Sequence, residues 1–152
     1  MPNLERTLIL IKPDALQRNL MGEIIRRFEA KGLKIIGMKM VTLDDALLDE
    51  HYAHHKDKAF FEELKNLMKS APVVAMVLEA PNVIKAVRII VGATMPAEAD
   101  AGSIRGDLSI SPGGANLLHA SDSAETAEVE IKRFFEDEEL FSYRKIDEPY
   151  ST

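Results

Sequence analysis

The 152-residue sequence contains no cysteine. That excludes disulfides, thiolate metal sites and cysteine nucleophiles, and it fits a reducing compartment. Long apolar runs are also missing. The longest, such as Leu8 to Ile11 and Val73 to Leu78, fall far short of the roughly 20 residues that a membrane-spanning helix needs. Glu5 and Arg6 precede a short apolar stretch with no cleavage-site pattern, so no signal peptide is expected and a soluble, cytoplasmic protein is. Positive charge is not in excess: the net charge is −6, which disfavours nucleic acid as a main partner. Small anions remain open, because a few cations can dominate one cleft. Neither a P-loop nor a dinucleotide fingerprint occurs, so a phosphate site would rest on side chains rather than on a glycine-rich nest. No repeat, linker or low-complexity tract divides the chain. Its length and 46% hydrophobic content are those of one globular domain, residues 1–152.

What is present alternates between two periods. Thr7–Ile11 is β-branched or apolar at every position and reads as a central strand covered on both faces. Gly22–Lys31 carries Ile24, Ile25 and Phe28 at helical spacing, with Gly32 as the stop. Leu33–Leu43 reads as a strand, Asp44–Asp49 and Ala59–Lys69 as helices, and Pro72–Glu79 as a second buried strand. Asn82–Val91 is predicted as a helix ended by Gly92. Ala93–Ala115 has glycines, prolines and no clear period, and reads as a long functional loop. Asn116–His119 is short and extended, and Ser123–Phe135 is the last helix, with Asp122 or Ser123 as its N-cap. The order predicts a ferredoxin-like βαββαβ fold of the α/β class, with a four-stranded, largely antiparallel sheet covered by helices.

Several residues sit awkwardly in this pattern. Glu130 points toward the stripe of Ala127, Ile131, Phe134 and Phe135, where a carboxylate needs a partner or must bend out to water. His119, just before that helix, is the candidate partner: a carboxylate on one ring nitrogen leaves the other as a nucleophile. Lys12 ends a buried strand, either as a ligand-binding group or paired with Asp14. Arg88 suits the last turn of its helix through the dipole, while Thr94 and Arg105 fall in the long loop, where solvated polar residues are the default. Together, Lys12, Arg88 and Arg105 have the charge to neutralise a polyphosphate. His51, His54 and His55 have a spacing compatible with metal, although a surface cluster is the simpler reading. Tyr52 and Phe60 read first as core residues and second as platforms for a base.

The segment Asn116-Leu117-Leu118-His119-Ala120-Ser121-Asp122-Ser123 closely resembles the active-site signature of nucleoside diphosphate kinases. The resemblance extends over nearly the whole chain. It takes in Thr7-Leu8-Ile9-Leu10-Ile11-Lys12-Pro13-Asp14, then Tyr52 with Lys56, Asp57, Phe60 and Phe61. Arg88, Gly92-Ala93-Thr94, Pro96-Ala97, Ile104-Arg105-Gly106-Asp107 and Phe134-Phe135 complete it. It implies that His119 is a phosphorylated nucleophile attacking through Nδ1, oriented by Ser121 and Glu130. It also implies that Lys12, Tyr52, Arg88, Thr94 and Arg105 meet the phosphates and leaving group, that Asn116 with Lys12 reaches the sugar 3′-hydroxyl, and that Phe60 stacks on the base. No metal-ligating side chain is implied. Mg²⁺ would bridge the nucleotide phosphates, mostly through water. The expected reaction is ping-pong transfer of the terminal phosphate from a nucleoside triphosphate to a diphosphate. The competing expectation is a catalytically impaired, nucleotide-binding regulatory protein.

Three positions depart from the family pattern. One extra residue lies within Ser111-Pro112-Gly113-Gly114-Ala115, beside the expected nucleotide, which puts a base-side contact near Pro112 in doubt. Ala115 stands where the family often has an arginine that supports subunit contacts, and Ala120 where glycine is common. The family forms hexamers or tetramers. The loop around Pro96 and a tail ending at Thr152 favour a homohexamer.

Overall fold

The computed structural model describes residues 4–111 and 113–148. Pro112 and the end of the tail at Thr152 therefore lie outside the described residues. Four strands form one antiparallel sheet in the order β2 (Lys34–Val41), β3 (Val73–Pro81), β1 (Leu4–Ile11), β4 (Leu118–Ala120). This is the ferredoxin-like arrangement that the pattern predicts. β1 is internal, paired with β3 along its length and with β4 at its end, where Leu10 lies opposite His119.

The alternation along β1 and β3 explains the two-sided core. Ile9 and Ile11 join Val74, Met76 and Leu78 on one face, against helices α2 (Met21–Lys31) and α5 (Val83–Val91). Leu8 and Leu10 join Val73, Ala75 and Val77 on the other, against α3 (Asp45–His51), α4 (Phe61–Lys69) and α7 (Ala124–Phe134). With period-two side chains and both faces covered, a near-continuous apolar strand is the required sequence.

Local signals set the helix ends. Gly32 closes α2 at φ 96°, a left-handed value that a side chain resists. Asp44 caps α3 by accepting from the Leu47 amide, and Ser123 caps α7 by accepting from Thr126; each cap contributes about 1 kcal/mol. Ser123, rather than Asp122, is thus the cap of the last helix.

Three features differ from the sequence reading. Pro13–Gln17 forms a short helix, α1, because Pro13 at its first position fixes a helical φ. The stretch read as a long loop contains a 3₁₀ turn, Pro96–Glu98, and a helix, α6 (Ile104–Leu108), capped by Ser103. These elements are too short to build a period, so the sequence hides them. Gly106 of α6 lies so close to the Asp100 carbonyl that a Cβ there would overlap it. Finally, the last strand is Leu118–Ala120 rather than residues 116–119, because Leu117 adopts φ 81° and breaks the extended run.

Candidate active site

The site forms where the end of β1 meets β4, bordered by α7, the α3–α4 connection and α6. On β4, alternation turns the His119 side chain away from Leu118 and Ala120, toward the face that α7 covers. Glu130 on α7 meets it there: His119 Nε2 lies 3.0 Å from Glu130 Oε1. The same oxygen accepts from Ser121 Oγ at 2.6 Å, and Ser121 Oγ accepts from the Leu8 amide at 3.1 Å. An ionised carboxylate only accepts, so the imidazole donates through Nε2, and the neutral ring keeps its lone pair on Nδ1. Glu130 is only 6% exposed. Burial alone would raise its pKa. The hydrogen bond and charge of His119, the Ser121 hydroxyl and the His51 ring outweigh that effect and hold the carboxyl below its ordinary value. The inward orientation read from helical spacing is therefore the observed one, and the solvent-facing alternative is not.

A second histidine supports the first. His51, at the end of α3, is buried, and its ring meets His119 edge-on with centroids 4.7 Å apart. Arg133 Nη1 donates to His51 Nδ1 at 2.9 Å, which places the His51 proton on Nε2. Burial above all, then the neighbouring His119, Arg133 and His54 against the opposing pull of Glu130, lower the His51 pKa to about 3. The ring is thus a neutral wall. The surface reading of the three histidines fails for His51, because α3 turns it inward while His54 stays exposed and His55 is half-buried. From His119 a ladder of rings leads outward through His51, Tyr52 (4.7 Å from His51), His55 (6.1 Å from Tyr52) and Phe60 (5.3 Å from His55). Tyr52 is core, as its spacing predicts. Its hydroxyl is sealed from solvent and has no hydrogen-bond partner among the described residues. Burial, then Glu130, raises its pKa and keeps the phenol protonated. Phe60 is 46% exposed, so the core reading fails there and the neighbouring Phe61 fills the core instead.

The cations divide by burial. Lys12 Nζ donates to Asn116 Oδ1 at 2.8 Å and to the Gly114 carbonyl at 3.0 Å. Among the described residues these are the hydrogen bonds of its ammonium, and Asp14, the partner weighed from sequence, is not one of them. Burial, then the charge of Arg105, lowers the Lys12 pKa to about 8, against the pull of Asp14. Arg105 is buried rather than solvated, because α6 carries it inward. It donates to the carbonyls of Asn116 (3.2 Å), Leu118 (2.7 Å) and Gly92 (3.2 Å). Burial, then the charge of Arg88, lowers its pKa to about 10, so it stays cationic at neutral pH. Asn116 Nδ2 reaches the Thr94 carbonyl at 3.2 Å. Arg88, in the last turn of α5, and Thr94 are both exposed. The loop folds back so that Gly114 approaches Leu64 and Leu67 of α4 while presenting its carbonyl to Lys12.

These features are a poor cage for Mg²⁺. Among the described residues, the one group of three potential ligands, His51, His119 and Glu130, offers two imidazoles and one carboxylate within 4.8 Å of one another. Mg²⁺ prefers oxygen ligands, and Arg133 already holds a nitrogen of His51.

The nucleoside diphosphate kinase family model matches residues 5–140. The chain belongs to the nucleoside diphosphate kinase family. As a member it is a phosphotransferase of nucleotide chemistry. Among its relatives, the nucleoside diphosphate kinase of Archaeoglobus fulgidus is 50% identical over 147 residues, 97% of each chain. A halophilic nucleoside diphosphate kinase from Halobacterium salinarum in complex with CDP superposes with TM-score 0.93 at 42% identity, covering 97% of this chain and 98% of the other. A nucleoside-diphosphate kinase from Borrelia burgdorferi, a transition-state mimic with bound vanadate and ADP, gives TM-score 0.90 at 34% identity, covering 95% of each.

Against this family background the structure adds three residues that sequence reasoning passed over as functional. His51 carried a signal, being directly beside Tyr52, but its helix direction could not be read from a seven-residue element. Asp14 reads in sequence as the partner of Lys12 and Arg133 as an ordinary surface charge; only the fold brings them to Leu117 and His51. Among the described residues, no helix is long and apolar enough to cross a membrane.

Proposed function

We propose that the chain transfers the terminal phosphate of a nucleoside triphosphate to a nucleoside diphosphate in two half-reactions, with Nδ1 of His119 as the carrier. The observation that carries this reading is the contact of His119 Nε2 with Glu130, which leaves Nδ1 as the ring's only lone pair. In the first half, Nδ1 attacks the terminal phosphorus. The N–P bond forms as the P–O bond to the departing diphosphate breaks. The proton stays on Nε2, where Glu130 balances the charge gained by the ring. The second half is the reverse, onto a terminal oxygen of the acceptor.

Lys12, Arg88 and Arg105, with Thr94, neutralise and align the phosphates, which is most of what phosphoryl transfer requires. Arg105 exchanges some carbonyl contacts for phosphate oxygens. Tyr52, with its unpartnered hydroxyl, meets the transferred group. Asn116 and Lys12 take the sugar 3′-hydroxyl. Phe60 stacks on the base without reading its edge, so the common bases are accepted alike. Mg²⁺ bound to the nucleotide phosphates would supply further charge neutralisation. The CDP of the Halobacterium structure and the vanadate with ADP of the Borrelia structure support a site for a nucleotide and a transferable phosphate. We read residues 1–152 as one such domain, cytoplasmic, and assembled as a homohexamer in preference to a tetramer. Exposed Ile89, Met95 and Ile110 support burial by further copies.

The test is transfer in two separated steps. Protein incubated with Mg-ATP and freed of nucleotide should carry acid-labile phosphate on His119 and should then convert GDP to GTP. Folded protein that binds nucleotide yet gives neither product would move the assignment to a nucleotide-binding regulatory protein.

A further inference from the structure

Leu117 is an unusual residue to find beside a nucleophile. It is fully buried, it has a side chain, and its φ of 81° lies in the left-handed region that such residues disfavour. Such a conformation persists only where the surroundings fix it, and here they do. The Leu117 amide donates to Asp14 Oδ2 at 3.1 Å, and the Leu117 carbonyl accepts from the Lys12 amide at 2.9 Å. The carbonyls on either side, of Asn116 and Leu118, accept from Arg105. The turn held in this way delivers Asn116 to Lys12 and His119 to Glu130.

Of these holding groups, Arg105 is claimed by the phosphates under the reading above and cannot keep every carbonyl once a nucleotide arrives. The Lys12 amide fixes one side of the Leu117 peptide. The other side rests on Asp14. This carboxylate stands in the first turn of α1, where Pro13 fixes the backbone. Its second oxygen, Oδ1, is sealed from solvent without a hydrogen-bond partner among the described residues, an arrangement that costs stability and calls for a compensating role.

We infer that Asp14 is a positioning residue for the transfer reaction: its carboxylate holds the left-handed turn at Leu117 that sets the His119 ring against Glu130. With Oδ2 on a backbone amide and Oδ1 sealed from solvent, it acts through the backbone. The inference rests on the reading of His119 as the carrier, but the hold itself is a structural relation that can be measured apart from the chemistry.

Two variants separate hold from charge. Asp14→Ala removes the acceptor. Asp14→Asn keeps an oxygen that can accept from the Leu117 amide. Rapid-quench phosphorylation of the full chain by Mg-ATP should be slowed about tenfold to a hundredfold in Asp14→Ala, chiefly in the rate constant rather than in KM, as for other groups that orient a reacting ligand. Asp14→Asn should recover most of that loss. Without nucleotide, ¹H–¹⁵N correlation of the imidazoles should give the Nε2-protonated form of His119 in the wild type and in Asp14→Asn, and a tautomeric average in Asp14→Ala. Wild-type rate and a single tautomer in Asp14→Ala would overturn the proposal. So would an Asp14→Asn protein of unchanged melting temperature with a mobile, slowly phosphorylated His119, and this arm decides the matter if Asp14→Ala does not fold. A wild type that forms no phosphohistidine would refute the carrier reading, while the imidazole spectra would still report whether Asp14 holds the ring.

Discussion

Lys12, Arg105, Asn116, Ser121 and Glu130 are each less than a tenth exposed, whereas Phe60 is 46% exposed and Arg88 and Thr94 stand open to solvent. The first group surrounds β4 and is tied together before any ligand arrives. Glu130 holds His119, Lys12 holds Asn116, and Arg105 holds the backbone on both sides of Leu117. We read the second group as the outer lip of the site, where the Thr94 carbonyl meets Asn116 and the Phe60 ring meets His55. The difference separates two kinds of work. A buried, hydrogen-bonded centre presents its charges at low dielectric and without reorganisation, which favours the transition state. An exposed lip is ordered by its ligand and contributes chiefly to affinity. Loss of a member from the centre should therefore appear in the rate, and loss from the lip in KM.

The largest expected break is His119→Ala. It should lower kcat/KM by about 10⁴-fold or more while leaving nucleotide affinity within a few-fold, as judged by steady-state kinetics beside calorimetric titration. Appreciable turnover by that protein would place the carrier elsewhere. Glu130→Gln keeps an acceptor near Nε2 but removes the charge. The phosphorylation rate should fall roughly tenfold to a hundredfold with little change in melting temperature; an unchanged rate would reduce Glu130 to a packing residue. On the lip, Arg88→Ala should raise KM about tenfold, the weight of one charge-assisted hydrogen bond, with a smaller effect on kcat. A collapse of kcat with KM preserved would erase the distinction between the two regions. Phe60→Ala should raise KM about tenfold or less, similarly for purine and pyrimidine nucleotides, because stacking reads no edge pattern.

The smallest effect, and the one most specific to burial, is with pH. Lys12 titrates near pH 8, lowered first by burial and then by Arg105. Its charge is lost as pH rises through that value, so nucleotide affinity should fall several-fold above pH 8. Stability should move the other way. Between about pH 8 and the ordinary lysine value of 10.5, the unfolded chain binds more protons at this residue than the folded one, so the Lys12 contribution to stability grows with pH. Lys12→Met should abolish both trends. If affinity were flat across this interval in the wild type, Lys12 would not be the buried cation of the site.

Much of this design was legible in the sequence because it uses periodic signals. The apolar runs of β1 and β3, the helical stripes and the inward angle of Glu130 follow from side-chain direction alone. Arg88 in the last turn of α5 follows from the helix extent and its dipole. The resemblance around Asn116 to Ser123 points to His119 as the proposed carrier, which no period could. What stayed hidden depends on elements too short to show a period or on contacts across the chain. Arg105 reads as a loop cation until α6 turns it inward. His51 reads as one of three surface histidines until α3 packs on α7. Asp14 reads as the partner of Lys12, yet one of its oxygens answers an amide 103 residues away. The left-handed turn at Leu117 is invisible in sequence because leucine gives no hint of positive φ.

The most direct test of the account is the chemical identity of the phosphohistidine. With Nε2 engaged by Glu130, the phosphorus must join Nδ1, and ³¹P–¹⁵N correlation on the isolated phosphoprotein reads which ring nitrogen carries it. Phosphorus on Nδ1 of His119 is the predicted result. Phosphorus on Nε2 would mean that the Glu130 contact breaks before transfer, and the proposed orientation of the nucleophile would be wrong.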